Sequence, residues 1–531
     1  MTSRKDMPPG RAARAWRILA PLTLVAVAAA TRFYALGAKS LWLDEAATMN
    51  AIDAPLGNVM ASVKACDAHP PLYYALLHVW MHKPLAMAHR PVPAAERWLF
   101  LCRSHSAVQA RAFSAAVSVA TTLVFYLLVR VVATRRAAFL ASLVVAVSAF
   151  HVYFAQEVRM YALAGLFVAL SWYLLVELVA GRRVQRWPMW LGLALANAAA
   201  AYTFYYSLFA VVAQVLVLVL LWRSIGRRLL APWVAWQLVP LGLFALYVPV
   251  IQERLILLQG KARPGGGGPL SLEALGETAA QFTCGFLHAL AGSWGPLVVA
   301  VGAVVALAVV VLGLGAGRRL GCATVVGGVW LVAPLLALAA FPFKGHVYEP
   351  KHLAFAAPGM AVLLAAALSS EKRLIRRGGF FAFLSLLALN AASLVAYYKP
   401  GVEKEDWRGA IGELARRVEP GDYVVFNPPW SELPFLYYYK HVYRGPRVLP
   451  VRAPLAPRPF RARQLATGRR VWVLEAASNI APPNPNVLRS LSDYGPPLFT
   501  RRFPGLVGTV AVALFDTLRP PRPTADGPPV P

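Results

Sequence analysis

The chain has 531 residues, of which 58% are apolar and only 15% are charged, and this balance excludes an ordinary soluble globular protein. The formal net charge of +29 would suit a nucleic-acid-binding protein, but the basic residues form short clusters between apolar runs rather than one patch. We therefore expect membrane lipids, and no nucleic acid, as partners.

Apolar runs long enough to cross a bilayer predict a multi-spanning α-helical membrane protein with about 11 transmembrane helices. Residues 1–17 form a basic tail, and the first run starts at Ile18. The alternative for this run is a cleaved signal peptide, because an Ala-rich stretch precedes Thr31. We favour a retained span. Ten further charge-poor runs follow at about 112–129, 137–154, 160–180, 188–203, 207–221, 232–251, 292–316, 321–341, 353–370 and 378–398.

The distribution of basic residues predicts which way the chain crosses the membrane. The loops at 130–136, 181–187, 222–228, 317–320 and 371–377 contain 15 Lys or Arg in 32 residues. The facing loops at 151–159, 202–207, 252–291 and 342–352 contain 6 in 66 residues. By the positive-inside rule the basic loops and residues 1–17 are cytoplasmic.

Three regions complete the predicted organisation around the transmembrane part, residues 18–398. A large first external loop covers about 36–106, and within it 71–88 is interpreted as a helix at the outer interface, since a further span would invert every later loop. Residues 400–517 alternate short apolar runs with helix-like stretches, as in a small α/β domain. An odd number of spans places this domain outside, in the periplasm of a bacterium. Residues 518–531 form a Pro-rich disordered tail.

The first external loop contains the strongest candidate for catalysis. Asp44 and Glu45 follow the first span in the sequence L-W-L-D-E-A-A. Their apolar neighbours suggest burial near the membrane surface, where a carboxylate could act as a general base toward a hydroxyl or amine. The alternative is a solvated surface pair.

Two further external segments carry polar candidates. His69, in D-A-H-P-P-L-Y-Y, could meet a phosphate or an acceptor, although two prolines also simply start a helix. The segment Q-E-V-R-M-Y places Glu157, Arg159 and Tyr161 at the outer ends of two spans. Glu157 would join Asp44 around a reaction centre or a cation. The alternative is a surface ion pair between Glu157 and Arg159.

The segment F-P-F-K-G-H-V-Y-E-P-K-H supplies basic groups at the outer membrane face. Lys344, Lys351 and His352 suit a lipid phosphate whose charge must be neutralised as a sugar leaves. Interfacial lysines that merely extend toward water are the alternative.

These motifs, in this order, resemble those of the C-type-fold glycosyltransferases of family 39, which include protein O-mannosyltransferases and the aminoarabinose transferase of lipid A. The segment K-E-D-W-R, residues 404–408, resembles the start of the external domain in many bacterial members. The resemblance implies a polyprenyl-phosphate sugar donor, inverting attack by an acceptor that Asp44 deprotonates, and Lys351 in place of the usual Arg at the carrier phosphate. His69 and Ala68 stand where the aminoarabinose enzymes have Lys and Glu, which argues against assuming their substrate.

The sequence therefore predicts a glycosyltransferase of the cell (inner) membrane that acts on a protein, glycan or lipid acceptor. The alternative is a lipid or sugar transporter or flippase, which the absence of an evident internal repeat disfavours. No cofactor is certain, but Asp44, Glu157 and His69 could hold a divalent cation if the fold brings them together. Cys66 and Cys102 fall in one external loop and could form a disulfide.

Overall fold

We describe the protein from a computed structural model. The structure describes residues 11–53, 69–86, 106–180, 187–223, 227–250, 271–317, 321–340, 349–455, 469–477 and 482–517, with residues 56, 58, 59, 63, 252, 253, 458–462 and 465 between these ranges. Lys344, Cys66 and Cys102 lie outside the described residues, so the predictions made for them stay predictions.

Helices account for the described part of the chain up to Tyr398. In chain order they are α1 Arg11–Phe33, α2 Leu43–Ile52, α3 Leu72–Ala86, α4 Ala107–Val132, α5 Arg135–Val147, α6 Ala149–Ala155, α7 Tyr161–Val179, α8 Trp187–Thr203, α9 Leu208–Leu220, α10 Arg227–Ala245, α11 Leu272–Cys284, α12 Leu287–Leu290, α13 Gly295–Leu314, α14 Gly321–Ala340, α15 Pro358–Ser369 and α16 Arg373–Tyr397. Short 3₁₀ helices lie at Tyr205–Ser207, Gly292–Trp294 and Pro350–Leu353.

Each of the eleven predicted spans falls on a helix, but not every helix can cross a membrane by itself. Among the described residues, seven helices are long and apolar enough, or eight if the bent pair α5 and α6 counts as one span. The remaining predicted spans fall on the shorter helices α8, α9 and α15. At 1.5 Å per residue, such helices fall short of a hydrocarbon core about 30 Å thick. The prediction of a multi-spanning helical membrane protein is confirmed.

The bend between α5 and α6 brings the end of a span to the candidate site. The two helices meet at an angle of 53°, and Ser148 caps α6 by accepting from the His151 N–H. Breaking the helix frees backbone carbonyls, and the buried guanidinium of Arg32 binds two of them, donating to Val145 O at 3.1 Å and Ala146 O at 2.5 Å. The carbonyl groups that the bend frees are therefore hydrogen-bonded by a side chain inside the bundle.

A five-stranded sheet follows the last membrane helix, as the predicted fold class requires. Its strands are β1 Tyr423–Asn427, β2 Leu449–Arg452, β3 Arg470–Ala477, β4 Phe499–Phe503 and β5 Thr509–Asp516, in the order β2-β1-β3-β5-β4. β1 pairs in parallel with β2 and β3, whereas β5 pairs antiparallel with β3 and β4. Three further helices are α17 Trp407–Arg417, α18 Glu432–Leu436 and α19 Pro485–Ser492, with a 3₁₀ turn at Pro429–Ser431 and a π-helical turn at Tyr437–Tyr443.

Both faces of the sheet are covered. Alternate residues of β3 separate onto the two faces, as the period of a strand requires: Trp472 packs in the same apolar core as Trp407 of α17, and Val471 packs with Val487 of α19. Because α17 starts directly after K-E-D, this packing fixes residues 403–408 between the sheet and the membrane helices. That segment reaches the candidate site.

Candidate active site

Asp44 lies in the first turn of α2 and is the partly exposed carboxylate of the L-W-L-D-E motif, with 22% of its side chain accessible. Its Oδ2 is 3.8 Å from Nη2 of the buried Arg159. Arg159 Nη1 also donates to Thr48 Oγ1 at 3.3 Å, one turn further along the same helix. The guanidinium therefore lies along α2 and faces the Asp44 carboxylate with a positive charge.

Glu45 is next in sequence but has a different environment. It is fully buried and accepts two hydrogen bonds from Arg111, from Nε at 2.8 Å and from Nη2 at 2.6 Å. Its Oε1 also accepts from the Val158 N–H at 3.0 Å. Burial alone would raise the pKa of Glu45, but Arg111 and these hydrogen bonds hold it below its usual value. Glu45 is thus an ionised buried carboxylate whose oxygens are already occupied.

Arg111 connects Glu45 to the backbone of the loop that precedes α2. Besides Glu45, its guanidinium donates to the carbonyl oxygens of Leu36, Lys39 and Ser40 at 2.9–3.1 Å. Breaking a buried pair of this kind leaves an uncompensated charge and costs roughly 3–5 kcal/mol. The Glu45–Arg111 pair therefore fixes the backbone that presents Asp44.

Glu157 is paired with a residue from the K-E-D-W-R segment rather than with Arg159. Lys404 Nζ donates to Glu157 Oε1 at 2.7 Å, and each side chain is 1% exposed. The same ammonium lies 3.9 Å above the ring of Tyr153. Burial raises the pKa of Glu157 and lowers that of Lys404, while the attraction between them opposes both shifts. Among the described residues, no donor reaches Glu157 Oε2.

The rest of the same segment binds the loop around Asp44. Glu405 Oε2 accepts from the Leu43 N–H at 3.0 Å and from Trp407 Nε1 at 2.6 Å. Glu403 Oε2 accepts from the Ser40 N–H at 2.6 Å. Arg408 donates to the carbonyl oxygens of residues 37–39. Side chains at the start of the sheet-bearing region thereby form hydrogen bonds with backbone groups of the first loop, both before α2 and at its first residue.

Lys351 lies in the 3₁₀ turn Pro350–Leu353 and forms an ion pair with Glu349, 2.5 Å between Nζ and Oε2. Burial lowers the pKa of Lys351, but Tyr161, Glu349 and Asp44 outweigh it and hold the pKa above its usual value. Asp44 therefore acts electrostatically on Lys351. An ammonium and a carboxylate that are far apart in the sequence thus come within electrostatic reach of each other.

Aromatic rings connect the remaining predicted binding residues. The Phe204 ring lies 5.5 Å from His69, 5.6 Å from Tyr161 and 6.2 Å from His352, measured between ring centroids. His352 also stacks on Tyr206 at 4.5 Å with an interplanar angle of 9°. Aromatic side chains are common in the lining of small-molecule sites.

The three residues proposed for a cation do not form one cluster. Among the described residues, no group of three or more His, Cys, Asp or Glu is placed to hold a metal ion. His69 stacks on Tyr205 at 5.7 Å, and its carbonyl oxygen accepts from the Tyr247 hydroxyl at 3.2 Å. The structure therefore brings Asp44 near Arg159, with Lys351 within electrostatic reach, and it does not join Asp44, Glu157 and His69 as one ligand set.

Comparison with known protein families gives a match over the part of the chain that contains Glu157, Arg159 and Tyr161. Residues 88–252 match the family described as dolichyl-phosphate-mannose-protein mannosyltransferase. The chain is therefore a membrane glycosyltransferase. The expected resemblance to family 39 is confirmed, and the prediction of glycosyltransferase activity is confirmed with it. No curated protein matches the sequence significantly.

Three solved structures are similar to this glycosyltransferase. ArnT from Cupriavidus metallidurans in the apo state has a TM-score of 0.49 and 12% identity, over 94% of this chain and 98% of that one. ArnT from the same organism bound to undecaprenyl phosphate has a TM-score of 0.48 and 12% identity, over 92% and 97%. The Archaeoglobus fulgidus oligosaccharyltransferase tethered with an acceptor peptide has a TM-score of 0.45 and 10% identity, over 83% and 64%.

The sequence analysis missed the residues that hold the site together. Arg111 stands one position before the predicted span 112–129 and was not among the candidate site residues. A buried Arg at the end of an apolar run usually has a partner, and that signal would have pointed to an acidic residue such as Glu45. Phe204 carried no such signal, and the K-E-D-W-R motif marked Lys404 without indicating its partner, because both roles depend on contacts between residues far apart in the chain.

Glu405 supplies a prediction for the pH dependence of stability. Burial raises its pKa to about 6, above the ordinary value of 4.5. The proton is therefore bound more tightly in the folded state, and the stability this provides is present below about pH 4.5 and lost as pH rises through 6. We expect Glu405→Gln, which keeps an acceptor for the Leu43 N–H and Trp407, to remove this loss of about 2 kcal/mol. Melting temperatures of both proteins at pH 4 and pH 8 measure the effect, and an equal change in both between these pH values would contradict it.

Proposed function

We propose that this glycosyltransferase moves a sugar from a polyprenyl-phosphate carrier to an acceptor hydroxyl or amine, with inversion at the anomeric carbon and Asp44 as general base. The observation that supports this most is the contrast between neighbouring carboxylates. Glu45 is buried with its oxygens occupied, whereas Asp44 is partly exposed at the start of a rigidly held helix. A general base needs such access to the proton it removes.

The proposed reaction balances charge within the site. Asp44 takes the proton of the acceptor as its oxygen or nitrogen attacks the anomeric carbon from the face opposite the phosphate. The bond between that carbon and the phosphate oxygen breaks, and the polyprenyl phosphate leaves with the electron pair. Lys351, held protonated by its raised pKa, neutralises the departing phosphate. The proton then passes to the solvent that reaches the partly exposed Asp44, and Arg159 keeps a positive charge 3.8 Å from this carboxylate.

Glu45 and Glu157 take positioning roles in this proposal. Glu45 orients the first external loop through its ion pair with Arg111. Glu157 pairs with Lys404 and so links its own loop to the K-E-D-W-R segment. His69, Tyr161 and His352, which meet around Phe204, line the sugar or carrier part of the site. The family description names a dolichyl-phosphate mannose donor, which supports the polyprenyl-phosphate class of carrier. A protein, glycan or lipid can each supply the acceptor group.

Release of the carrier tests this function directly. The full chain in nanodiscs, given a radiolabelled sugar on undecaprenyl phosphate and a candidate acceptor mixture, should release free carrier and label the acceptor. We expect Lys351→Met to lower the rate roughly 10²-fold, because one charge partner of the departing phosphate is lost. Lys351→Arg should retain most activity. Lys372→Met, which changes an exposed lysine before α16, is the matched control. Movement of intact donor across the membrane without carrier release would favour the flippase instead.

We also propose that residues 1–17 are cytoplasmic and that the sheet-bearing region faces outward from the inner membrane. Basic loops at one end of the bundle support this orientation. A phosphatase fused after Thr517 is expected to be active, and one inserted at Lys372 inactive. A fluorescent protein that needs the cytoplasm to mature should give the reverse. Fluorescence from the fusion after Thr517 would contradict the orientation.

A further inference from the structure

A large open cavity lies at the end of the helix bundle away from Asp44. Its volume is about 980 Å³, and it is lined by the first two turns of α5, the first three turns of α16 and the end of α15. The other ends of these helices mark the opposite side: α5 continues through α6 to Glu157, and the carbonyl oxygen of Tyr397, at the end of α16, accepts from Lys39 Nζ. The cavity is therefore separate from the candidate active site.

Four arginines line this cavity: Arg135, Arg136, Arg376 and Arg377. All four are exposed, and none of the residues that line the cavity is acidic. Within the described part of the chain, no carboxylate forms an ion pair with any of them. Arg376 donates to the carbonyl oxygen of Ser370 at 3.2 Å, which holds its guanidinium at the rim. The cavity thus concentrates four positive charges that the described protein does not neutralise.

The remaining wall of the cavity is mostly apolar, with Thr134 and Ser369 as its polar members. Leu140, Phe380 and Phe381 contribute to it, and the two phenylalanines are 47% and 66% exposed. A soluble phosphate would use the arginines and leave this wall uncovered. A phospholipid would meet both parts, with phosphates at the guanidinium groups and acyl chains along the rings.

We propose that this cavity binds an anionic phospholipid, with a diphosphatidyl head group the best match for four arginines. Arginines are common at the cytoplasmic end of membrane proteins, so charge alone would attract such lipids weakly everywhere. The cavity differs because pairs from two separate helices converge on one volume that also has an apolar wall. Bound lipid joins α5 to α16 at this end. It therefore stabilises the two helices that reach the active-site loops.

Retention of lipid by variants tests the site. The full chain in detergent is titrated with tetraoleoyl cardiolipin, and bound lipid is counted by native mass spectrometry. Removing either arginine pair, as R135Q/R136Q or R376Q/R377Q, should weaken binding of the tightest lipid about tenfold or more. The matched control is R223Q/R228Q, which removes two exposed arginines at the same end but outside the cavity. It should leave this binding within about twofold of wild type.

Three outcomes would overturn the proposal. Equal weakening by the control would show a general charge effect, and unchanged binding in both cavity pairs would exclude the site. Displacement of the lipid by millimolar inorganic phosphate would identify a free anion as the occupant. Melting temperatures in phosphatidylcholine nanodiscs check that each variant is folded. Addition of cardiolipin should raise the melting temperature of wild type and of the control, but not of the cavity variants.

Discussion

Replacing Asp44 with asparagine is expected to lower the rate of sugar transfer by roughly 10²- to 10⁴-fold, the usual contribution of a general base. Asparagine keeps the size of the side chain but cannot accept the acceptor's proton. Because Asp44 is partly exposed and Glu45, not Asp44, carries the buried hydrogen bonds, folding should be little affected. The measurement is the initial rate of carrier release, with the KM for donor and the melting temperature recorded beside it.

Asp53→Asn is the control for this variant, since Asp53 is an exposed aspartate that follows the last turn of the same helix. It should retain full activity. A loss that appears in kcat while the melting temperature is unchanged supports proton removal by Asp44. If Asp44→Asn keeps a third or more of wild-type activity, Asp44 is not the base. The Lys351 variants separate that failure from failure of the whole function, because they act on the phosphate instead of the acceptor.

Replacing Lys404 with methionine is expected to have the second large effect, through the buried carboxylate it leaves behind. The Glu157–Lys404 pair is 1% exposed on both sides, so Lys404→Met leaves Glu157 without its counter-charge. Removing one partner of such a pair costs roughly 3–5 kcal/mol. We expect a lower melting temperature and a fall in kcat of about tenfold or more, since Glu157 adjoins the Val158 N–H that binds Glu45.

A double variant tests whether the lost charge balance is the cause. Lys404→Met combined with Glu157→Gln removes both charges and should recover much of the melting temperature, because no buried charge is left unpaired. Arg501→Met is the matched control: its ion pair with Glu413 is 3.0 Å long, but the arginine is 58% exposed. Exposed pairs contribute about 0–1 kcal/mol. Equal destabilisation by Lys404→Met and Arg501→Met would contradict the role of the buried pair.

The roles of Asp44 and Glu45 show where sequence reasoning stops. Both carboxylates follow the same apolar run, and both were candidates for catalysis. The helix that starts at Leu43 turns Glu45 toward Arg111 and leaves Asp44 facing Arg159. Adjacent residues on a helix point about 100° apart, so one can be buried while its neighbour is open. The choice between them required the position of Arg111, 66 residues further along the chain.

The K-E-D-W-R segment is a second case in which the sequence does not indicate the long-range contacts of its residues. Its resemblance to the start of the external domain in family 39 enzymes marked the segment, but nothing in its own sequence indicates that Lys404 and Glu405 reach the first external loop. They do so because α17 packs on the sheet through Trp407, which leaves the preceding residues beside Leu43 and Glu157. Glu157, expected beside Asp44 or Arg159, is paired with Lys404 for this reason.

What the sequence by itself determined is the class of protein, and the direction in which the chain crosses the membrane stays a prediction from its basic loops. Membrane helices satisfy their own backbone and must be apolar over their length, so spans can be recognised from local composition. The order of short motifs was likewise enough to indicate the glycosyltransferase family. Tertiary structure decided which ionisable residue is open and which is buried, and it formed the arginine-lined cavity from two helices far apart in sequence. Burial and ion pairing depend on neighbours that only folding brings together, which is why composition and spacing could not predict them.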